Sequence, residues 1–145
     1  MIGVLARKLR AAGDVVLAAL AVARARRTVA TRPVGALVER SRRTFPDGLS
    51  VGLAPDGVRA GARWGAAVDR ALRWLPGDSA CLVRASALRE LVAANGLPEA
   101  SVVIGVRRGT AGFEAHAWVE QDGTPIAEPA LLHGAFSSLD GVTLR

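Results

Sequence analysis

The stretch "CLVRASALRELVAANGLPEASVVIGVRRGTAGFEAHAWVEQDGTPIAE", residues 81–128, decides the fold because its hydrophobic period changes along it. Its first part has helical spacing and predicts a helix from Ala80 to Ala94, with Cys81 in the first turn. Asp78 or Ser79 is a suitable N-cap, and Asn95-Gly96 is a typical helix stop. The apolar positions are Leu82, Ala85, Leu88, Leu91 and Val92.

After residue 100 the pattern becomes extended. "SVVIGVRR" (101–108), "FEAHAWVE" (113–120) and "TPIAE" (124–128) each read as a strand, and Gln121-Asp122-Gly123 predicts a hairpin between the last two. From Pro129 onward the chain is weakly patterned. We therefore expect an α+β fold in which a cysteine-bearing helix packs on a small antiparallel sheet.

The first half of the chain predicts helices. Residues 1–30 contain no proline and are rich in Ala, Leu and Arg, and a short second helix is expected near 34–43. The turn-rich segment 45–57 predicts a loop, and 58–75 returns to helical spacing before Pro76-Gly77. We expect a helical region over 1–75 and an α+β core over 76–145, joined in one compact domain.

Composition limits the function only broadly. The chain has 145 residues, half of them hydrophobic, and a formal net charge of +6 that comes almost entirely from arginine. Such a charge is compatible with an acidic peptide, nucleic acid or an anionic membrane surface as the partner. The single cysteine excludes an internal disulfide and fits a reducing compartment, so we expect a cytoplasmic protein.

The apolar run Val15–Ala23 raises the question of membrane contact. Its nine residues are too few for a span, which needs about 20. It also resembles a signal-peptide core, but "RARR" follows it directly, and we favour an amphipathic or buried helix. Three roles are therefore possible for residues 1–75: a partner-docking surface, a membrane-associated helix or a cover for the core.

Cys81 and His116 are the candidates for nucleophilic catalysis. A helix N-terminus favours the thiolate of Cys81, and its free amides suit an oxyanion. Strand alternation places His116 and Trp118 on the face opposite the apolar set Phe113, Ala115, Ala117 and Val119, which we expect in the core. Taken singly, each has a simpler interpretation, Cys81 as a packed thiol and His116 as a half-exposed strand residue.

The acidic partner of His116 is either Glu128 or Asp122. Asp122 lies six residues along, roughly 20 Å away on an extended strand, and serves better as a turn residue. With a three-residue loop, 121–123, Glu128 faces His116, whereas a two-residue Asp-Gly loop turns Glu128 to the other face. We therefore prefer Glu128 and keep Asp122 as the alternative.

No metal or cofactor is expected. Cys81, His116 and His133 lack the spacing of a metal site, and no P-loop or dinucleotide glycine pattern is present. His133 is expected to cap or pack in the tail. Arg84, Arg107 and Arg108 are available to contact a peptide or partner, but we interpret each one as a solvated surface charge.

Residues 81–129 strongly resemble the lasso-peptide biosynthesis B2 proteins, which are small transglutaminase-like (papain-like) cysteine proteases. The resemblance rests on "CLVR" opening a helix, "IGVR" (104–107) on a strand, and "AHAWVE" (115–120) followed by Asp122-Gly123. It implies a Cys-His-Asp/Glu triad of Cys81, His116 and Glu128. Glu128 precedes Pro129, where wider relatives often carry Asp-Pro.

The resemblance also implies a function. B2 proteins remove the leader from a ribosomally made precursor peptide, and a lasso cyclase then uses the freed amine. In split systems a small leader-recognition protein presents the precursor, and the length of this chain fits that arrangement. The alternatives are acyl transfer to an amine, and a non-catalytic module that binds a peptide, nucleic acid or membrane. We do not expect nucleic acid as the partner.

Overall fold

The computed structural model describes residues 2–33, 53–75, 81–129 and 135–138. Within them lie three helices, α1 (Ile2–Thr31), α2 (Pro55–Trp74) and α3 (Cys81–Ala94). Four strands follow, β1 (Ser101–Gly109), β2 (Gly112–Gln121), β3 (Thr124–Ile126) and β4 (Ser137–Ser138). They form one antiparallel sheet in the order β3-β2-β1-β4, which confirms the expected α+β class.

Several helices and strands begin or end at residues other than those predicted. α2 begins at Pro55 and not at Val58, because proline is favoured in the first helical turn and Asp56 complements the helix dipole there. The third strand ends at Ile126, two residues earlier than predicted. The short strand β4 was not predicted. The expected helix near 34–43, the N-caps Asp78 and Ser79, and His133 lie outside the described residues.

A single hydrophobic core joins the helices to one face of the sheet. α1 contributes mainly alanines, whose small side chains let it lie close to α2 and α3. Larger side chains fill the centre, and each fully buried one stabilises the fold by about 1.5–3 kcal/mol. Trp64 is the largest of these at 2% exposure, and the largest below 2% are Leu88, Ile126, Val22, Val68, Val92 and Val119.

Two glycines let α2 approach the end of β3. A Cβ at Gly61 would lie 2.7 Å from Cγ2 of Ile126, which is only 1% exposed, and a Cβ at Gly65 would overlap that of Ala127. Neither neighbour is the far end of a flexible side chain. The glycines therefore set the distance between α2 and the segment after β3.

Replacing Gly61 by alanine is expected to destabilise the protein by about 1–2 kcal/mol, because overpacking costs more than the gain in helix propensity. Gly13→Ala in α1 is the matched control, since a Cβ there meets nothing within 4 Å. That control should gain up to about 1 kcal/mol. Urea unfolding measures both, and equal effects of the two substitutions would contradict the packing.

Ion pairs also connect the helices. Arg63 of α2 donates to both carboxylate oxygens of the buried Asp14 of α1, at 2.7 and 2.5 Å. The hydrogen bonds from Arg63 lower the pKa of Asp14, although burial opposes this. The stabilisation is therefore present above the ordinary aspartate range and is lost as the pH falls through the lowered pKa. A second pair, Arg24–Glu90, is more exposed.

The outer side of α1 is apolar. Leu5, Leu9, Val16 and Leu20 lie on one side of the helix at near-helical spacing and are between 51% and 66% exposed. Among the described residues, no helix has the length and hydrophobicity to span a bilayer.

Candidate active site

Cys81 is the first residue of α3, where the predicted helix places it. It is partly buried and packs against the hydrophobic core, and α3 itself lies against β2, the strand that carries His116. Unpaired amides and the dipole at a helix start favour a thiolate and a bound anion. The fold thus brings the helix of the candidate nucleophile onto the strand of the candidate base.

His116 and Glu128 are in direct contact. His116 Nε2 lies 2.5 Å from Glu128 Oε1, and the side chain of Glu128 is only 4% exposed. Because an ionised carboxylate only accepts hydrogen bonds, Nε2 carries the hydrogen in this pair. Nδ1 is then left as the nitrogen that accepts a proton, so the contact selects the tautomer that a base needs.

The contact between His116 and Glu128 arises from a different loop geometry from the predicted one. Gln121 pairs with Thr124, so the loop has two residues, Asp122 and Gly123, both with positive φ (51° and 72°). The three-residue loop is therefore wrong, and it was the premise on which Glu128 was placed opposite His116. Asp122 occupies the turn at the end of β2, six residues along from His116.

The backbone conformation of Ala127 changes the direction of the chain after β3. Its φ is 52°, a left-handed conformation that costs a non-glycine residue roughly 1–2 kcal/mol. This ends β3 and breaks the alternation, which brings Glu128 to His116 despite the shifted register. The close approach at Gly65 holds Ala127 in place, so the glycine of α2 helps to define the position of Glu128.

Arg84 holds the other side of Glu128. Its Nη1 donates to Glu128 Oε2 at 3.0 Å, its Nη2 to the carbonyl of Ala127 at 3.0 Å, and its Nε to Asp69 at 2.7 Å. Burial acts to lower the pKa of Arg84, but the hydrogen bonds and charges of Asp69 and Glu128 outweigh it and raise the pKa.

These contacts correct the interpretation of one arginine. Arg84 is not a solvated surface charge, because its side chain is 22% exposed and its guanidinium is bonded on three sides. Arg107 and Arg108 are exposed as expected, although Arg107 pairs with Glu114.

An aromatic cluster covers the second face of β2. Trp118 is 2% exposed, and the ring of Phe136 lies 5.4 Å from that of His116. This corrects the predicted pattern, in which only the face of Ala117 and Val119 is buried. Phe113 and Ala115, predicted in the core, are both exposed near the β1–β2 turn, Phe113 to 79%. The sequence alone did not indicate that the tail returns to cover His116.

A groove of about 430 Å³ runs between α2 and β3 and reaches Glu128 and Pro129. Its walls are mostly apolar and include Val58, Ala62 and Ile126. Within the described parts of the chain, no cluster of three or more His, Cys, Asp or Glu side chains is arranged to bind a metal.

Comparison with known proteins identifies a superfamily for the chain. A family model described as the transglutaminase-like superfamily matches residues 4–140, which is nearly the whole chain. The chain therefore belongs to the transglutaminase-like superfamily, which includes cysteine peptidases and acyltransferases. No curated protein and no solved structure matched the chain in the same comparisons.

Proposed function

We propose that this chain is a cysteine peptidase that removes the leader from a lasso precursor peptide. Cys81 is the proposed nucleophile, His116 the base, and Glu128 the group that orients the base. The observation that carries the proposal is the contact of His116 Nε2 with the buried Glu128. Membership of the superfamily and the resemblance of residues 81–129 to B2 proteins support the choice of chemistry.

The chemistry proceeds in two stages. Nδ1 of His116 takes the proton of the Cys81 thiol, and the sulfur attacks the carbonyl carbon of the scissile peptide bond. In this proposal, amides at the start of α3 stabilise the resulting oxyanion. His116 then returns the proton to the leaving amine, which is the new N-terminus of the core peptide, and a thioester to the leader remains on Cys81.

Water completes the reaction. His116 removes a proton from the water that attacks the thioester, and the thiolate leaves as the leader carboxylate is released. Throughout the cycle, Glu128 stabilises the imidazolium and keeps Nε2 as the donor. The freed amine is the group that a lasso cyclase consumes. A separate leader-recognition protein is the proposed presenting partner.

The test distinguishes hydrolysis from acyl transfer. The protein is incubated with lasso precursor peptides and their leader-recognition protein, with and without a millimolar primary amine, and products are measured by mass spectrometry. The proposal predicts a leader ending in a free carboxylate under both conditions. A leader carrying the added amine would instead establish the acyltransferase alternative, and an unchanged precursor under both conditions would contradict both enzymes.

We also propose that the apolar side of α1 rests on an anionic membrane. The side is aliphatic and lacks the aromatic anchors typical of protein interfaces. The exposed cations Arg7, Lys8 and Arg10 lie on the same helix, and its one acidic residue, Asp14, is paired inward. Aliphatic burial together with basic residues is the pattern of interfacial helices.

Cosedimentation with vesicles tests this surface. The protein should bind vesicles that contain phosphatidylglycerol more strongly than pure phosphatidylcholine vesicles. The double substitution Leu9→Glu and Val16→Glu should abolish binding. Phe113→Glu is the control, because it adds a charge at an exposed apolar residue outside α1. Absence of binding by the wild-type chain would contradict the proposal, as would an equal loss in the control.

A further inference from the structure

We infer that Arg84 is a positioning residue that acts on the base through Glu128. The inference rests on the proposed function, since it assigns a role within the same site. A connected set of charges, Asp69–Arg84–Glu128–His116, runs from α2 through α3 to β2. These four side chains form one hydrogen-bonded chain. Only His116, at its far end, is proposed to exchange protons.

The two oxygens of Glu128 are divided between two donors. Oε1 accepts from His116 and Oε2 accepts from Arg84. Because the carboxylate is 4% exposed, water does not readily replace a lost donor, and an unpaired buried charge is strongly unfavourable. Without Arg84, Glu128 is expected to rotate toward solvent, which removes the acceptor from His116.

Arg84 also controls the backbone that carries Glu128. Its bond to the carbonyl of Ala127 restrains the residue whose positive φ directs Glu128 to His116. The guanidinium therefore holds both the carboxylate and the turn before it. A lysine has a single ammonium group and does not reproduce this planar arrangement of donors.

Helix α3 carries both Cys81 and the arginine that binds Glu128. Arg84 follows Cys81 by three residues on α3, so the two are neighbours on one side of the helix. The same helix thus presents the thiol and holds Glu128. Asp69 of α2 accepts from the remaining edge of the guanidinium and balances its charge, which fixes the orientation of Arg84.

Positioning and simple electrostatics differ in whether the effect of Arg84 depends on Glu128. As a nearby cation alone, Arg84 disfavours the imidazolium of His116 but favours the thiolate of Cys81, so the effect of its removal has no fixed sign and does not need Glu128. As a positioning residue it supports the imidazolium through Glu128, so its removal decreases that pair. A residue that only stabilises the fold would lower thermal stability without changing the pH profile of the folded protein.

The experiment measures the rate of Cys81 alkylation by iodoacetamide against pH, with thermal unfolding of each variant. Arg84→Met should slow alkylation near neutral pH by about tenfold, which corresponds to a change of about 1.4 kcal/mol. Arg84→Lys should recover only part of the rate. Arg24→Met is the control, because it removes an exposed pair with Glu90 at the same helix α3, and it should leave the profile unchanged.

A double-mutant cycle with Glu128→Gln decides whether Arg84 acts through Glu128. In that background Arg84→Met should change the rate by less than about twofold. Additive effects, or faster alkylation in Arg84→Met, would overturn the inference while leaving the peptidase proposal intact. If Arg84→Met does not fold, the Arg84→Lys cycle makes the same comparison. A wild-type thiol that reacts like a free cysteine would instead count against the proposed function.

Discussion

Replacing Cys81 by alanine is expected to abolish cleavage of the precursor. The proposed chemistry requires the sulfur as nucleophile, and the chain has no second cysteine to substitute for it. Loss of a catalytic nucleophile typically lowers the rate by about 10⁴-fold or more. Cys81→Ser should fail as well, because the hydroxyl is a far weaker nucleophile. The measurement is the amount of free core peptide, by mass spectrometry.

The fold should survive this change. Cys81 is only partly buried, and alanine is a good first-turn residue, so thermal unfolding of Cys81→Ala should remain close to that of the wild type. Binding of the leader-recognition protein should also persist. If the alanine variant still releases core peptide at the wild-type rate, the proposal that Cys81 is the nucleophile of a cysteine peptidase is wrong.

The second large effect is expected for Glu128→Gln. A glutamine has one acceptor oxygen where the glutamate has two, and Arg84 and His116 cannot both be satisfied by it. Arg84 is always charged and should keep the oxygen. The amide nitrogen then faces Nε2 of His116 as a donor, which moves the imidazole hydrogen to Nδ1 and removes the base. Cleavage should fall by about 10²- to 10⁴-fold.

Asp122→Asn is the matched control for this substitution. It makes the same change of carboxylate to amide at the alternative acid, and asparagine is well suited to the positive φ of the turn. Its cleavage rate should stay within about twofold of wild type, since Asp122 is a partly exposed turn residue outside the core and such substitutions have small effects. Loss of activity in Asp122→Asn with full activity in Glu128→Gln would identify Asp122 as the third residue.

The helix of Cys81 and the strand of His116 were predictable because their patterns are local. Helical spacing with a clear stop located α3, and alternation with an Asp-Gly turn located β2 and β3. The conformation of Ala127 was not predictable, because an alanine with positive φ has no sequence signal. The predicted contact between His116 and Glu128 is present, but the loop length from which it was deduced was wrong.

The surroundings of the pair depend on long-range packing. Arg84 looked like one arginine among many, yet Asp69 from α2 and Glu128 from the end of the sheet converge on it. The feature of the sequence that could have placed Arg84 in the site was its spacing of three residues from Cys81. Phe136 returns from a weakly patterned tail to cover His116 and Trp118, and no local periodicity predicts such a contact.

The most direct test of the account is the rate of Cys81 alkylation against pH in the wild type and in His116→Ala. It needs neither substrate nor partner. We predict that the wild-type thiol is alkylated faster than a free cysteine at neutral pH, and that His116→Ala removes most of this difference. Identical profiles with the midpoint of a free thiol would contradict the proposal that Cys81 and His116 form a catalytic pair.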